Sequence, residues 1–407
     1  MSLGNMSLGK KPADTYSPLY FLASLGAGGL SVTFFMYLMF WVPHKGRPVP
    51  IFEDLLAAFG AGSPLRDAAI AIAVLGIAVF AFLNVKMLVW NLSALAAFKK
   101  TEAYAKLRRS NAQTSLLAAP LAAAMSVNAL FIVGLVFVPQ LWSVVEYLFP
   151  MALVAFVGIG LWALSMLGQF IGRVLSEKSF DFAANNSFAQ LMPGFALSMV
   201  AVGLAAPAAM STTPMTVAIS LVLSTFFASV AILWIAVALV LALPAIFQHG
   251  TAPEAAPTLL VIVPILTVLG IMTLRQSHGL HTTFQAHGSA GETLLFLAKT
   301  LSVQIAVLLA GLLVLRRQGY FTNWVFGPQV SAGSYALVCP GVALSVMLHF
   351  FINKGLVDAG VIEKFGAGYW ALTVPALIAQ FAMVALVLRL NRQHFSARPT
   401  AQLQPAE

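Results

Sequence analysis

Ten long apolar runs leave this chain very few folds. They cover approximately residues 18–42, 67–95, 114–138, 144–175, 187–210, 215–247, 257–274, 293–315, 329–351 and 367–390. A helix rising 1.5 Å per residue crosses ~30 Å of hydrocarbon in about 20 residues, so each run is read as a membrane span. The seventh run is the shortest, and a re-entrant segment is the alternative there. Only 9% of the 407 residues are charged, against roughly a quarter in an average soluble domain. Such a chain cannot cover its surface in water, so lipid is its solvent. The expected class is an all-α polytopic membrane protein. A ten-helix domain over 18–390 stands between tails 1–17 and 391–407.

The net charge of +9 does not point to nucleic acid, because the basic residues sit in short loops between apolar runs. Their distribution predicts topology. With the N-terminus inside, the cytoplasmic segments hold fourteen: Lys10, Lys11, Lys99, Lys100, Lys106, Arg108, Arg109, Arg173, Lys178, Arg316, Arg317, Arg389, Arg392 and Arg398. The opposite side holds six: Lys45, Arg47, Arg66, Arg275, Lys354 and Lys364. Both termini are therefore expected in the cytoplasm, in a multi-pass protein of a bacterial inner membrane. The N-terminal stretch shows no small-residue cleavage signal, so no signal peptide is read there. Short linkers make spans 3 and 4, and spans 5 and 6, antiparallel neighbours.

Four odd-numbered spans carry an internal proline: Pro120, Pro193, Pro264 and Pro340. Small or polar residues flank them, as in Ala118-Ala119-Pro120 and Cys339-Pro340-Gly341. The first span has Gly26-Ala27-Gly28-Gly29 at the comparable depth. The even spans are smoother, with Pro150 and Pro244 near their ends. A helix-interior proline removes a hydrogen bond and kinks the chain. In lipid the freed carbonyl needs protein or water. The kinked odd helices are thus expected around an interior axis, with the smooth even helices facing lipid.

Several stretches resemble the tellurite-resistance/dicarboxylate transporter family, the TehA and slow-anion-channel-like superfamily. They are Pro18-Leu19-Tyr20-Phe21 with Leu25-Gly26, and Thr114-Ser115-Leu116-Leu117-Ala118-Ala119-Pro120. Leu191-Met192-Pro193 with Val202-Gly203, and Pro340-Gly341-Val342-Ala343-Leu344, complete the set. The motifs are short but extend through nearly the whole membrane region. The resemblance implies five helix hairpins with quasi-five-fold symmetry around a central pore, often a homotrimer, and passive anion conduction. That family closes its pore with a phenylalanine on the ninth helix. Here the matching neighbourhood, Leu337 to Val342, has none. The chain is also similar to the TsoY-like membrane (seleno)protein group. That likeness implies a selenocysteine position at Cys339 and sulfur or selenium oxyanions as cargo.

The pore and gate candidates are Cys339, Pro340, Gly341, Tyr335, Ser334, Gly26, Pro120, Pro193 and Pro264. Cys339 is the single cysteine, which excludes an internal disulfide. Its thiol either reacts at a constriction or packs as a small buried group. Lys86 and Lys299 are the charges well inside the runs, and they either attract an anion or snorkel to the interface. Asn84 and Gln304 are their candidate partners. No Asp or Glu sits mid-membrane, which argues against cation coupling and for a channel or uniporter. Hydroxyls that could donate to an anion are Ser24, Ser31, Thr33, Thr114, Ser115, Ser187, Ser198, Thr267, Ser331, Ser334, Tyr335 and Ser345. Taken singly, each is more often a packing hydroxyl.

His278, His281 and His287 in a loop are weak metal candidates. A solvated loop, or anion capture on protonation, is the alternative. Lys99 to Arg109 sets topology and offers contacts to anionic lipid. No nucleotide, haem or hydrolase motif occurs, so neither an enzyme nor a cofactor is expected. The expected partners are a small inorganic or carboxylate anion and membrane lipid. The competing reading is a membrane redox or sulfur-handling protein acting through the Cys339 thiol.

Overall fold

The computed structural model describes residues 13–61 and 63–395. Lys10, Lys11 and Arg398, counted above for orientation, lie outside the described residues. The described chain is helical throughout and contains no strand. Among the described residues ten helices are long and apolar enough to cross a membrane. Spans 1 to 5 are Pro18–Trp41, Pro64–Phe98, Asn111–Phe137, Leu141–Glu177 and Phe188–Met210. Spans 6 to 10 are Pro214–His249, Pro253–Phe284, Ala290–Arg317, Ala332–Val357 and Ala367–Phe395. The seventh is a full span, longer at both ends than hydropathy alone suggested. The tenth continues to Phe395, past the expected start of the C-terminal tail at 391.

The odd spans are built unlike the even ones. Each begins with a 3-10 segment: Pro18–Tyr20, Asn111–Leu117, Phe188–Leu191, Pro253–Leu260 and Ala332–Leu337. The last residue of each is Tyr20, Leu117, Leu191, Leu260 or Leu337, and all five are buried. The α-helix then starts, and the proline is its second or third residue: Pro120, Pro193, Pro264 or Pro340. This corrects the expected mid-helix kink. First-turn N–H groups have no intrahelical acceptor, so proline is well tolerated there. The prolines that do sit inside an α-helix are Pro150, Pro244 and Pro375, on even spans.

Burial still divides the spans by parity. In the odd spans 61–94% of the apolar window is buried, against 22–44% in the even ones. Span 1 packs on 3, 3 on 5, 5 on 7, 7 on 9, and 9 returns to 1. The 3-10 segments touch in the same cyclic order. The described chain starts span 1 and ends span 10 at this end, where the Tyr20 hydroxyl is 3.1 Å from His394 Nδ1.

Polar side chains fasten even spans to odd ones. Asn84 Nδ2 donates to the Ser24 carbonyl at 2.8 Å, and Ser24 Oγ donates to the Asn84 carbonyl at 2.9 Å. Gln304 Nε2 donates to the Val263 carbonyl and to Thr267 Oγ1. The Tyr37 hydroxyl donates to Gln380 Oε1. Where lipid is as apolar as the core, such bonds and close packing hold helices together. Asn84 and Gln304 are thus committed to neighbouring spans.

At the far end the Glu146 carboxylate accepts from Ser211 Oγ, Thr212 N, Thr212 Oγ1 and Thr213 Oγ1. It ties span 4 to the turn between spans 5 and 6. Hydrogen bonds to a charged group contribute about 1.5–3 kcal/mol. Glu146→Ala is therefore expected to lower the melting temperature in detergent by several degrees. An unchanged melting curve would count against the clamp.

Candidate functional site

The odd spans surround a cavity of about 1050 Å³. No residue of the 3-10 segments lines it. Its deep end is formed by Leu25 and Gly26 of span 1, Met125 of span 3, Phe195 of span 5, Pro264 of span 7 and Cys339 of span 9. Above these the walls are mostly apolar: Phe35, Met36, Phe131, Met199, Val202, Ile271, Val346 and Phe350, with Phe149 and Phe156 from span 4. The rim comes from the opposite end of the molecule, with His44, Arg47, His278, His281, His287, Glu292, Lys354, Asp358 and Lys364.

Most rim charges already have partners. Arg47 pairs with Asp54, and Lys354 pairs with Asp358 at 3.3 Å. Glu292 Oε2 accepts from the Ser289 N–H and, with Ser289 Oγ, caps span 8. The Lys364 ammonium lies 5.2 Å from the Phe365 ring centroid. Desolvation holds its pKa below the usual lysine value, Asp358 opposes that shift and Lys354 adds to it.

Arg275 differs from all of these. It lies within span 7 and lines the cavity. Its Nη1 donates to the Val202 carbonyl at 2.7 Å. No acid pairs with it among the described residues. A guanidinium carries five N–H donors in a planar fork. A partly buried cation with spare donors on the wall of an apolar cavity has the chemistry to pair with an anion. Sequence reasoning placed Arg275 in a solvated loop, because hydropathy falls after Leu274. The helix instead continues to Phe284.

The structure sorts the other candidates. Cys339, Gly26 and Pro264 line the cavity, and Cys339 is 8% exposed. Pro120, Pro193 and Pro340 are buried and do not line it. Gly341 packs against Met383 of span 10. Ser334 bonds the Tyr320 hydroxyl, and Tyr335 donates to Asn391 Oδ1.

Of the twelve candidate hydroxyl residues only Thr267 lines the cavity, so the expected hydroxyl lining is corrected. Ser31, Thr33 and Ser198, for example, donate to carbonyls of their own helix. Lys86 and Lys299 do not line the cavity either. Lys86 is half-buried on span 2, and Lys299 is exposed on span 8. His278 and His281 stand on the last turns of span 7, and His281 Nδ1 is 2.9 Å from the Ala286 carbonyl. Among the described residues no three His, Cys, Asp or Glu groups gather for a metal.

Phe195 was not singled out from sequence. Its signal is its position two residues after Pro193, in the first turn of the α-helix that begins at Met192, on the cavity floor. Compared with models of known families, with curated proteins and with solved structures, the chain matches none of them.

Proposed function

We propose that this chain is a passive channel or uniporter for small anions, and that the cavity is its outer vestibule. The observation that carries the reading is Arg275, a cation with no acid partner among the described residues, on the wall of an apolar cavity. A charge at membrane depth is costly and is retained where it faces protein, water or cargo. An anion entering the cavity meets that charge with the donors not used on the Val202 carbonyl.

The architecture in this reading is five hairpins with quasi-five-fold symmetry around a pore. It is supported by the cyclic contacts of the odd spans and by the packing of each even span on the odd span before it. The 3-10 end then faces the cytoplasm, in keeping with the basic residues Lys99, Arg108 and Arg316 there. Flux into proteoliposomes tests the reading, with chloride, nitrate, sulfite, thiosulfate and a dicarboxylate offered in turn. Failure of every anion to cross would sink it.

Cys339 lines the floor of the cavity, and this favours a second reading in which the thiol itself handles a sulfur or selenium species. The two readings separate by substitution. A conduction role predicts that Cys339→Ser retains flux within about twofold, because serine is close in size. It also predicts that a small thiol reagent added from the rim side blocks wild type and spares the serine variant. Abolished flux in Cys339→Ser, with protein of normal melting temperature, would favour the thiol reading.

A further inference from the structure

The vestibule differs from what a small hydrated ion requires. Its volume of about 1050 Å³ lies just above the range typical of drug-sized ligand sites, roughly 300–1,000 Å³. Eight residues of helix separate Thr267 from Arg275, roughly 12 Å of rise. No charged residue lines the cavity in that deep zone. Its polar members are Asn128 and Thr267. Asn128 Nδ2 donates to the Ala124 carbonyl, and the Thr267 hydroxyl donates to the Ala343 carbonyl and accepts from Gln304. The remaining surface is apolar, with rings and thioethers such as Phe35, Met36, Phe131 and Met199 among aliphatic side chains such as Val202 and Ile271.

One uncompensated cation neutralises one negative charge. A strongly hydrated dianion seated at Arg275 would lose part of its water shell and keep one charge unpaired against apolar walls. Burial of an unpaired charge is among the most costly events in a protein interior. An anion with a single charge and an apolar body avoids both costs. Its head pairs with the guanidinium fork, and its body displaces water from the deep zone.

We infer that the vestibule selects an organic monoanion, a carboxylate or sulfonate on an apolar body, with the head at Arg275 and the body against the phenylalanine and methionine walls below it. The inference rests on the reading of Arg275 as the anion contact and adds the class of cargo.

The test is binding to the full chain in nanodiscs by calorimetry, with empty nanodiscs subtracted for partitioning into lipid. The probes are acetate, butyrate and hexanoate, then benzoate and benzenesulfonate, with sulfate, malonate and neutral hexanamide as contrasts. Affinity is expected to rise about fourfold per added methylene, the factor that corresponds to burying one methylene. Hexanamide is expected to bind at least tenfold more weakly than hexanoate, and sulfate and malonate not to compete. Arg275→Gln is expected to remove the preference for hexanoate over hexanamide.

Equal affinity for acetate and hexanoate overturns the inference, and this comparison needs only the wild-type chain. Arg275-dependent flux of chloride or nitrate with a flat carboxylate series would reject this cargo class and leave the channel reading standing. A steep series with no flux of any anion would do the reverse.

Discussion

Arg275→Gln is expected to lower anion flux by roughly 10- to 100-fold, the range set by losing an ionic hydrogen bond worth about 1.5–3 kcal/mol. Glutamine keeps a donor for the Val202 carbonyl, which Nη1 now reaches at 2.7 Å. The local packing should therefore survive while the charge is lost. Arg275→Lys keeps the charge without the planar fork and should fall between the two. Initial rates in proteoliposomes, normalised to incorporated protein, give the answer. Wild-type flux in Arg275→Gln would remove the guanidinium from the mechanism. Lys299→Gln is the matched control, because Lys299 is exposed on span 8 and lines no part of the cavity.

The second large effect is on folding. Gly279, near the end of span 7, packs against the main chain of Ala208 in the short helix Ala206–Met210. A Cβ there would meet the Ala208 carbonyl oxygen and lie 2.9 Å from its carbonyl carbon. Unlike a side chain, that carbonyl cannot rotate aside. Overpacking costs about 1–3 kcal/mol where neighbours can shift, and more where they cannot. Gly279→Val should therefore reduce monodisperse protein several-fold and lower its melting temperature. Gly168→Ala and Gly172→Ala on span 4 would meet nothing within 4 Å. They should leave both measures unchanged or slightly raised, since alanine is the better helix former. Equal behaviour of Gly279→Val and Gly168→Ala would reject the close contact.

Much of the fold was legible because hydropathy is a local property. Each apolar run declared its own span, and the separation of odd from even spans followed from where the small residues and prolines cluster. The reason offered for that separation was nevertheless incomplete. The odd prolines start α-helices after 3-10 segments and do not break them midway. The buried leucines Leu117, Leu191, Leu260 and Leu337, each followed by a proline within four residues, are the clearer sequence mark of this junction. The site was less legible. Lys86 and Lys299 stood out because they interrupt apolar runs, whereas Arg275 lay where hydropathy had already fallen.

The sequence by itself determined that this chain enters lipid as ten helices, because the cost of each residue in hydrocarbon depends on that residue and its near neighbours. Which side chains face the cavity was decided only by the tertiary structure. In water, a helix advertises its buried face through an apolar stripe. In lipid, both faces of a span are apolar, so that contrast disappears. The odd spans also begin at three residues per turn and continue at 3.6, which rotates every later side chain about the helix axis. Only when the 3-10 segments close on one another are Cys339 and Arg275 set at the floor and wall of one cavity, while Tyr335 and Gly341, a few residues away, pack into its frame.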